Sequence, residues 1–532
     1  MLIAVIIQVY LVISDISGLY IYPLDDTYIH LAIAENLSEH SVWGVTSHEF
    51  SSSSSSILYT LILAFLIKIF GSNGLLPLIV NIVITYIITI YLFHLFTKFY
   101  YDITSREKSD ILSHKENLQI FLVTLITSIF APVIILTLSG MEHNLQILLT
   151  IAFVDYLVRS VNNYSKSDFI KLLLLSVAVT SVRFEGIFLI FLAIILLIIK
   201  KRYQDSFFVL ISGLLPIIIY GLVSTGNGWM LLPNSILLKS TKPDAYTTLG
   251  ILTYPLKWVF VLFKEHHLLT LFVAASGLLY VNFKRTKKLF DEYSLWLLLT
   301  VSLIIIHLTF ARTGWVYRYE AYIIVIGYIA VFVNALNLLK NGERYNRNAI
   351  IALVAVMIFA GSLRAYKSIV EAQTMSVNIY EQQFQMSQYL KEYYNESTVV
   401  LGDIGACTYF TDIKLIDLVG LGSLEPLKMR IDKKFNRESI QMLTEKKNAD
   451  IAIIYKEAWE GYIPENWLEA GSWKISNNIG CFKDEVTFYA VKAENFLSLS
   501  ENLIQFRKKL PHTVEVNINI EQFLQESIPD SP

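Results

Sequence analysis

Two adjacent carboxylates, Asp25 and Asp26, follow an N-terminal apolar run and begin the segment DDTYIHLAIAENLSEHSVWG. Pro23 stands just before them, and Tyr28, Ile29, Ala32, Ile33 and Leu37 recur at helical spacing. The pair therefore stands near the start of a helix with one apolar face. A carboxylate there complements the helix dipole, or it takes a proton from a hydroxyl nucleophile. Four other short segments gather polar side chains: SGMEHN with Glu142 and His143, SVRFEG with Arg183 and Glu185, LLPNSILLKS with Asn234 and Lys239, and RTGWVYRYEAY with Arg312, Arg318, Tyr319 and Glu320. The last also carries Trp315 and Tyr317. Turns between apolar runs are polar in any case. Guanidinium forks, however, grip phosphate, and aromatic faces stack on flat partners.

A carboxylate, several cations and aromatics at one membrane surface fit sugar transfer from a sugar-phosphate-polyprenol donor. Such a donor keeps its lipid in the bilayer and its anomeric carbon at the interface. Transfer needs a base for the acceptor hydroxyl and positive charge for the departing phosphate. Asp25 or Asp26 could supply the base; Lys239, Arg312, Arg318 or Arg183 the charge. No GxxxxGK[ST], HExxH, CxxC or GxSxG pattern occurs, so nucleotide hydrolysis, zinc proteolysis and serine hydrolysis lack support. Adjacent carboxylates can hold Mg²⁺, Mn²⁺ or Ca²⁺, but one pair is too few ligands for a dedicated site. Metal use stays open.

The elements that must position these residues are membrane spans. With 54% hydrophobic and 17% charged residues over 532 positions, the chain has more apolar surface than a soluble core needs. A net charge of -2 offers no basic field for nucleic acid. Apolar runs near residues 1–20, 75–98, 119–138, 145–160, 169–182, 186–200, 206–224, 267–283, 294–311, 321–339 and 348–364 predict about eleven spans, the first retained rather than cleaved as a signal peptide. Asp15 inside the first is expected to face a bundle interior or the interface. Basic clusters, among them Lys98, Arg106 and Lys115, then Arg159, then Lys200 to Arg202, then Lys284 to Lys288, then Lys340 and Arg347, fall in alternate connections and are cytoplasmic by the positive-inside rule. Runs 57–70 and 251–263 then become juxtamembrane helices in the outer interface, and all five polar segments face outward.

After residue 364 the composition turns polar, which divides the chain into a membrane domain, 1–364, and a soluble domain, 365–532, outside the cytoplasm. A polar helix over about 368–395, strand-like TVVLG, a helix near 436–446, DIAIIY, WKI and VTFYAV predict a small α/β unit. The tail beyond about residue 510 is expected to lack order. Cys407 and Cys481, the two cysteines of the chain, lie in this domain, where a disulfide is permitted and two buried thiols equally so. The run SSSSSS, which begins at Ser51, has the composition of a flexible linker.

The ordered set of segments resembles the GT-C superfamily of glycosyltransferases, in particular the branch containing the bacterial terminal arabinofuranosyltransferase. DDTYIHLAIAENLSEH is similar to that branch's DDAxI helix, SGMEHN to its SGMET turn, RFEG to its R-P-[ED]-G, PNSILLKS to its PNTxxxK, GWVYRYEAY to its arginine-tyrosine-glutamate turn, and DIKLIDLVGL to its V-D-x-x-G-L. The Ser-rich stretch also belongs to the set. The resemblance implies a GT-C-like membrane domain, a polyprenyl-phosphate sugar donor, a catalytic aspartate at Asp25 or Asp26, inversion at the anomeric carbon, and an extracytoplasmic domain that guides a glycan or lipid acceptor. It also implies residence in a bacterial cytoplasmic membrane. By position, Glu142, Arg183, Glu185, Asn234, Lys239, Arg318 and Glu320 match its other turns. Phe184 stands where the branch has proline and Ser235 where it has threonine.

Two rival readings use the same residues. A transporter or flippase of lipid-linked glycans would place charges inside spans and show internal repeats; here charges favour outer turns and no repeat is found. A non-catalytic glycan-binding membrane scaffold would need no base at all.

Overall fold

The structure is a computed structural model describing residues 1–16, 18–107, 110–239, 259–341 and 347–519. Each apolar run predicted to span forms helix, because a chain in lipid must satisfy its backbone groups internally. In chain order the membrane part contains α1 (Leu2–Asp15), α2 (Asp26–His40), α3 (Ile57–Phe70), α4 (Leu76–Thr104), α5 (His114–Phe130), α6 (Val133–Leu138), α7 (His143–Asn162) and α8 (Lys166–Val182). There follow α9 (Gly186–Ile199), α10 (Tyr203–Gly226), α11 (Asn234–Lys239), α12 (His266–Thr286), α13 (Glu292–Phe310), α14 (Ala321–Asn341) and α15 (Arg347–Ile379).

Among the described residues, seven helices are long and apolar enough to cross a membrane, and α1, α3 and α9 are shorter apolar helices. The predicted run 119–138 is broken at Ala131 and Pro132, since proline has no N–H to continue the ladder, and resumes as the six-residue α6. Run 57–70 is α3, packed on α2. Run 251–263 lies largely outside the described residues. Asp15 ends α1 and accepts a hydrogen bond from Gln373 of α15.

The helix expected over 368–395 is not separate. α15 passes through a π turn (Tyr380–Phe384) into α16 (Gln385–Tyr393), giving 47 continuous helical residues from Arg347 to Tyr393. The 364/365 boundary falls inside this rod. A six-stranded sheet follows in the order β2-β1-β3-β5-β4-β6. Its strands are β1 (Thr398–Leu401), β2 (Lys414–Asp417), β3 (Ile451–Ile454), β4 (Leu468–Lys474), β5 (Glu485–Ala490) and β6 (Glu515–Ile518). β1 pairs with β2 and β3 in parallel and the remaining pairs are antiparallel. β3 reads IAII and is buried along its whole length, as a central strand covered on both faces must be. Tyr389 of α16 meets Trp473, Phe488 and Phe506 with ring centroids 5.5, 5.4 and 5.4 Å away, which welds the rod to the sheet.

Two expectations fail. The tail is ordered at least as far as β6, which pairs with β4 because the alternating EVNI supplies a free edge with a partner strand. The serine run is no linker: Ser51 to Ser54 and Ser56 are buried. Each hydroxyl or carbonyl has a separate task. Ser52 O accepts from Asn234 N at 2.9 Å, Ser53 Oγ donates to Leu421 O at 2.9 Å, Ser54 Oγ lies 3.0 Å from Thr60 Oγ1, and Ser56 Oγ caps α3. Small hydroxyl side chains suit a buried loop whose backbone would otherwise be unsatisfied.

Candidate active site

Asp25 and Asp26 part company at the start of α2. Successive residues at a helix start diverge by about 100°, and the two carboxylates reach different domains. Asp25 accepts from the backbone N–H groups of Gly405 and Ala406, both at 2.7 Å. These open the short helix α17 (Gly405–Tyr409) of the sheet domain. A Cβ on Gly405 would lie 2.1 Å from Asp25 O, so glycine alone permits the approach. Burial and the neighbouring Asp403 carboxylate push the Asp25 carboxyl up to about 8, against the pull of the two amides. Asp26 instead places Oδ2 2.6 Å from Arg318 Nη2, and its side chain is 28% exposed into a cavity.

That first chamber has a volume of about 230 Å³. Asp26, Arg183, Glu185, Arg312, Arg318 and Tyr319 line its polar side; Phe184, Ile187, Phe188, Ile236 and Phe310 line an apolar one. Arg318 is 2% exposed, with Nη2 also 3.3 Å from Tyr319 Oη, and among the described residues its Nε and Nη1 have no hydrogen-bond partner. Buried guanidinium donors without acceptors are costly. Such donors can hold an anion.

Behind this wall Glu142 is the hub. Its Oε1 accepts from Arg183 Nη1 and from Ser55 Oγ, both at 2.9 Å, and its Oε2 lies 3.3 Å from His30 Nε2. Arg183 also grips Glu185 bidentately, at 3.1 and 2.7 Å. Burial opposes ionisation of Glu142, but His143, His30 and Arg183 hold it well below the usual carboxylate range. Arg183 is thus fixed between two carboxylates, with its guanidinium 5.9 Å from the Tyr319 ring. His143 is buried with its ring centroid 6.4 Å from that of Tyr319.

A second chamber of about 660 Å³ lies between the membrane part and the sheet domain. It shares Asp26, Arg312, Arg318 and Tyr319 with the first and adds Asp25, Glu265, Trp315, Gln383 and Asp403. Asp403 accepts from Gln383 Nε2 at 2.8 Å and from Tyr455 Oη, and burial raises its carboxyl. Trp315 belongs to a left-handed turn: Gly314, Trp315, Val316 and Tyr317 have φ of 77, 40, 56 and 61°. Such residues persist only where neighbours over-determine them. Here Gly314 N donates to Glu320 Oε2 at 2.9 Å, and Arg364 Nη2 donates to Tyr317 O at 2.8 Å and Glu320 Oε1 at 2.7 Å. Burial opposes the ionisation of Glu320, while Arg364 and His267 hold it well below the ordinary range.

Asp26, Arg183, Glu185, Arg312, Arg318 and Tyr319, all expected from sequence, therefore line one cavity, with Glu142 and His143 behind it. Glu320 holds the turn. Asn234 Nδ2 is occupied by Gly420 O at 2.8 Å and Leu421 O at 3.2 Å, tying the membrane part to the loop after β2. Asp417 shapes that loop by accepting from Val419 N and Gly422 N at 2.8 and 2.6 Å. Lys239 ends α11, and its side chain lies outside the described residues. Sequence reasoning missed His30, Ser55 and Asp403; the first two sit in the DDTYIH helix and the serine run, the third in no motif. Ligand atoms of Glu265, His267 and Glu320 lie within 4.8 Å of one another, a spacing that could hold a metal ion, though Arg364 already occupies Glu320. The two cysteines are buried free thiols.

A family model described as a domain of unknown function (DUF8728) matches residues 376–489. No curated protein matches the chain. Among solved structures, the crystal structure of ArnT from Cupriavidus metallidurans bound to undecaprenyl phosphate is similar over 93% of this chain and 98% of that one, with TM-score 0.52 and 9% identity. The fold is therefore ArnT-like: a polytopic helical membrane part followed by a sheet-containing domain.

Proposed function

We propose that the chain is an integral membrane glycosyltransferase of the GT-C type that takes a sugar from a polyprenyl-phosphate donor. The observation that carries this is the buried Arg318 guanidinium, with donors unpartnered among the described residues, in a half-apolar chamber beside a carboxylate. A lipid-linked phosphate has both properties the chamber complements. ArnT, of like fold, binds undecaprenyl phosphate.

In this reading Asp26 takes the proton of an acceptor hydroxyl whose oxygen attacks the anomeric carbon. The bond from that carbon to the phosphate oxygen breaks, its electron pair goes to the phosphate, and the anomeric configuration inverts. Arg318, Arg183 and Arg312 stabilise the charge that develops there. Glu142 and Glu185 hold Arg183 in place. The reaction takes place on the extracytoplasmic face of a bacterial cytoplasmic membrane, and the larger chamber receives the acceptor.

The test uses the purified full chain in lipid nanodiscs with radiolabelled polyprenyl-phosphate sugars and envelope extract as acceptor source. The wild type should release polyprenyl phosphate and label the extract. Undiminished transfer by a variant carrying both Asp25→Asn and Asp26→Asn would sink the mechanism.

A further inference from the structure

A third cavity, of about 590 Å³, lies at the opposite end of the helical bundle, between α4, α5, α14 and α15. Its wall is apolar, with Phe96, Val123 and Leu336 among the lining side chains, and it opens sideways: Leu122 and Ile351 are 44 and 46% exposed. Polar groups gather at one end, where Lys340 Nζ lies 3.3 Å from Tyr100 Oη and 4.4 Å from the centre of its ring. Among the described residues Lys340 makes no ion pair, while nearby Arg106 is held by Glu116 at 3.0 Å.

We propose that this groove binds an anionic glycerophospholipid, with an acyl chain along the apolar wall and the phosphate against Lys340. Three observations favour that occupant. The groove lies where α4 gives way to α5 and α14 to α15, and basic residues mark these junctions: Arg106 just after α4, Lys115 at the start of α5, Lys340 at the end of α14 and Arg347 at the start of α15. Basic clefts between spans at such a surface suit anionic headgroups. Lys340 stands in the last turn of α14, whose first residue follows Glu320; at about 1.5 Å per residue the two are roughly 30 Å apart, the thickness of a hydrocarbon core. A lipid with its phosphate at Arg318 therefore belongs to the other leaflet. Finally, Lys340 offers its charge at the mouth of a lipid-facing cleft, which an anionic headgroup complements and a zwitterionic one matches less well.

The test is native mass spectrometry of the full chain in detergent with palmitoyl-oleoyl phosphatidylglycerol or phosphatidylcholine added. Phosphatidylglycerol should be retained several-fold more than phosphatidylcholine. Lys340→Glu should abolish the preference, and Ala355→Phe, at an exposed groove position, should reduce retention of both lipids. Thermal melts check that each variant folds, with Lys340→Gln as the milder substitute. Equal retention of the two lipids by the wild type, or wild-type retention in both variants, would overturn the proposal. No sugar transfer enters the readout, so the result stands apart from the proposed reaction.

Discussion

Arg318 Nη2 lies 2.6 Å from Asp26 Oδ2, joining residues 292 positions apart across the first chamber. The contact aims the carboxylate at the place where Arg318 has donors to spare. Asp26→Asn should lower kcat for sugar transfer by about 10²- to 10⁴-fold, with donor KM nearly unchanged. Steady-state kinetics against the lipid-linked donor check this. An equal loss in kcat and rise in KM would assign Asp26 to binding instead.

Asp25 should behave differently. Its carboxyl, raised to about 8, keeps a proton in the folded state that the unfolded chain releases near 4. Between those values the folded state binds more protons, so stability should fall as pH rises. Scanning fluorimetry from pH 4 to 8 should show Tm declining in the wild type and a flatter profile in Asp25→Asn.

Glu142→Ala would leave Arg183 without one of its two carboxylates in a buried wall. Removing one partner of a buried pair costs about 3 to 5 kcal/mol. Thermal unfolding should register a large drop in Tm for Glu142→Ala and a smaller one for Glu142→Gln, which keeps an acceptor for Ser55 and Arg183.

Gly140 sits in the SGMEHN turn with φ 66°. A Cβ there would lie 2.4 Å from Tyr22 Cε1 and 2.8 Å from Thr27 Cγ2, and Tyr22 is held by a hydrogen bond to Gly74 O at 2.7 Å. Gly140→Ala should destabilise by about 1 to 3 kcal/mol, read from the same melts.

Cys407 and Cys481 are buried thiols, Cys481 with Sγ 3.1 Å from Gln383 Oε1. Neither should react with maleimide in the native protein, and both should react after denaturation without reductant. Mass spectrometry that finds them blocked until reduction would establish a disulfide.

The apolar runs were readable as helix because length and composition announce them, although only seven of the described helices are long enough to cross a membrane; the break at Pro132 needed only one residue within such a run. The polar turns were readable as a group, and residues from four of them line one cavity. Their pairing was not. Asp25 and Asp26 are indistinguishable in sequence and differ only in which domain each reaches. The serine run has the composition of a linker and the burial of a core, because its partners come from α3, Asn234 and Leu421. Asp403 carries no local motif at all; it enters the second chamber through the packing of the sheet domain.

The uninterrupted helix from Arg347 to Tyr393 makes the bilayer and the sheet domain mechanically one object. At about 1.5 Å per residue it is roughly 70 Å long, more than twice the hydrocarbon thickness. The wall of the second chamber that carries Gln383 and Asp403 is thereby built on a rod rooted in the membrane part.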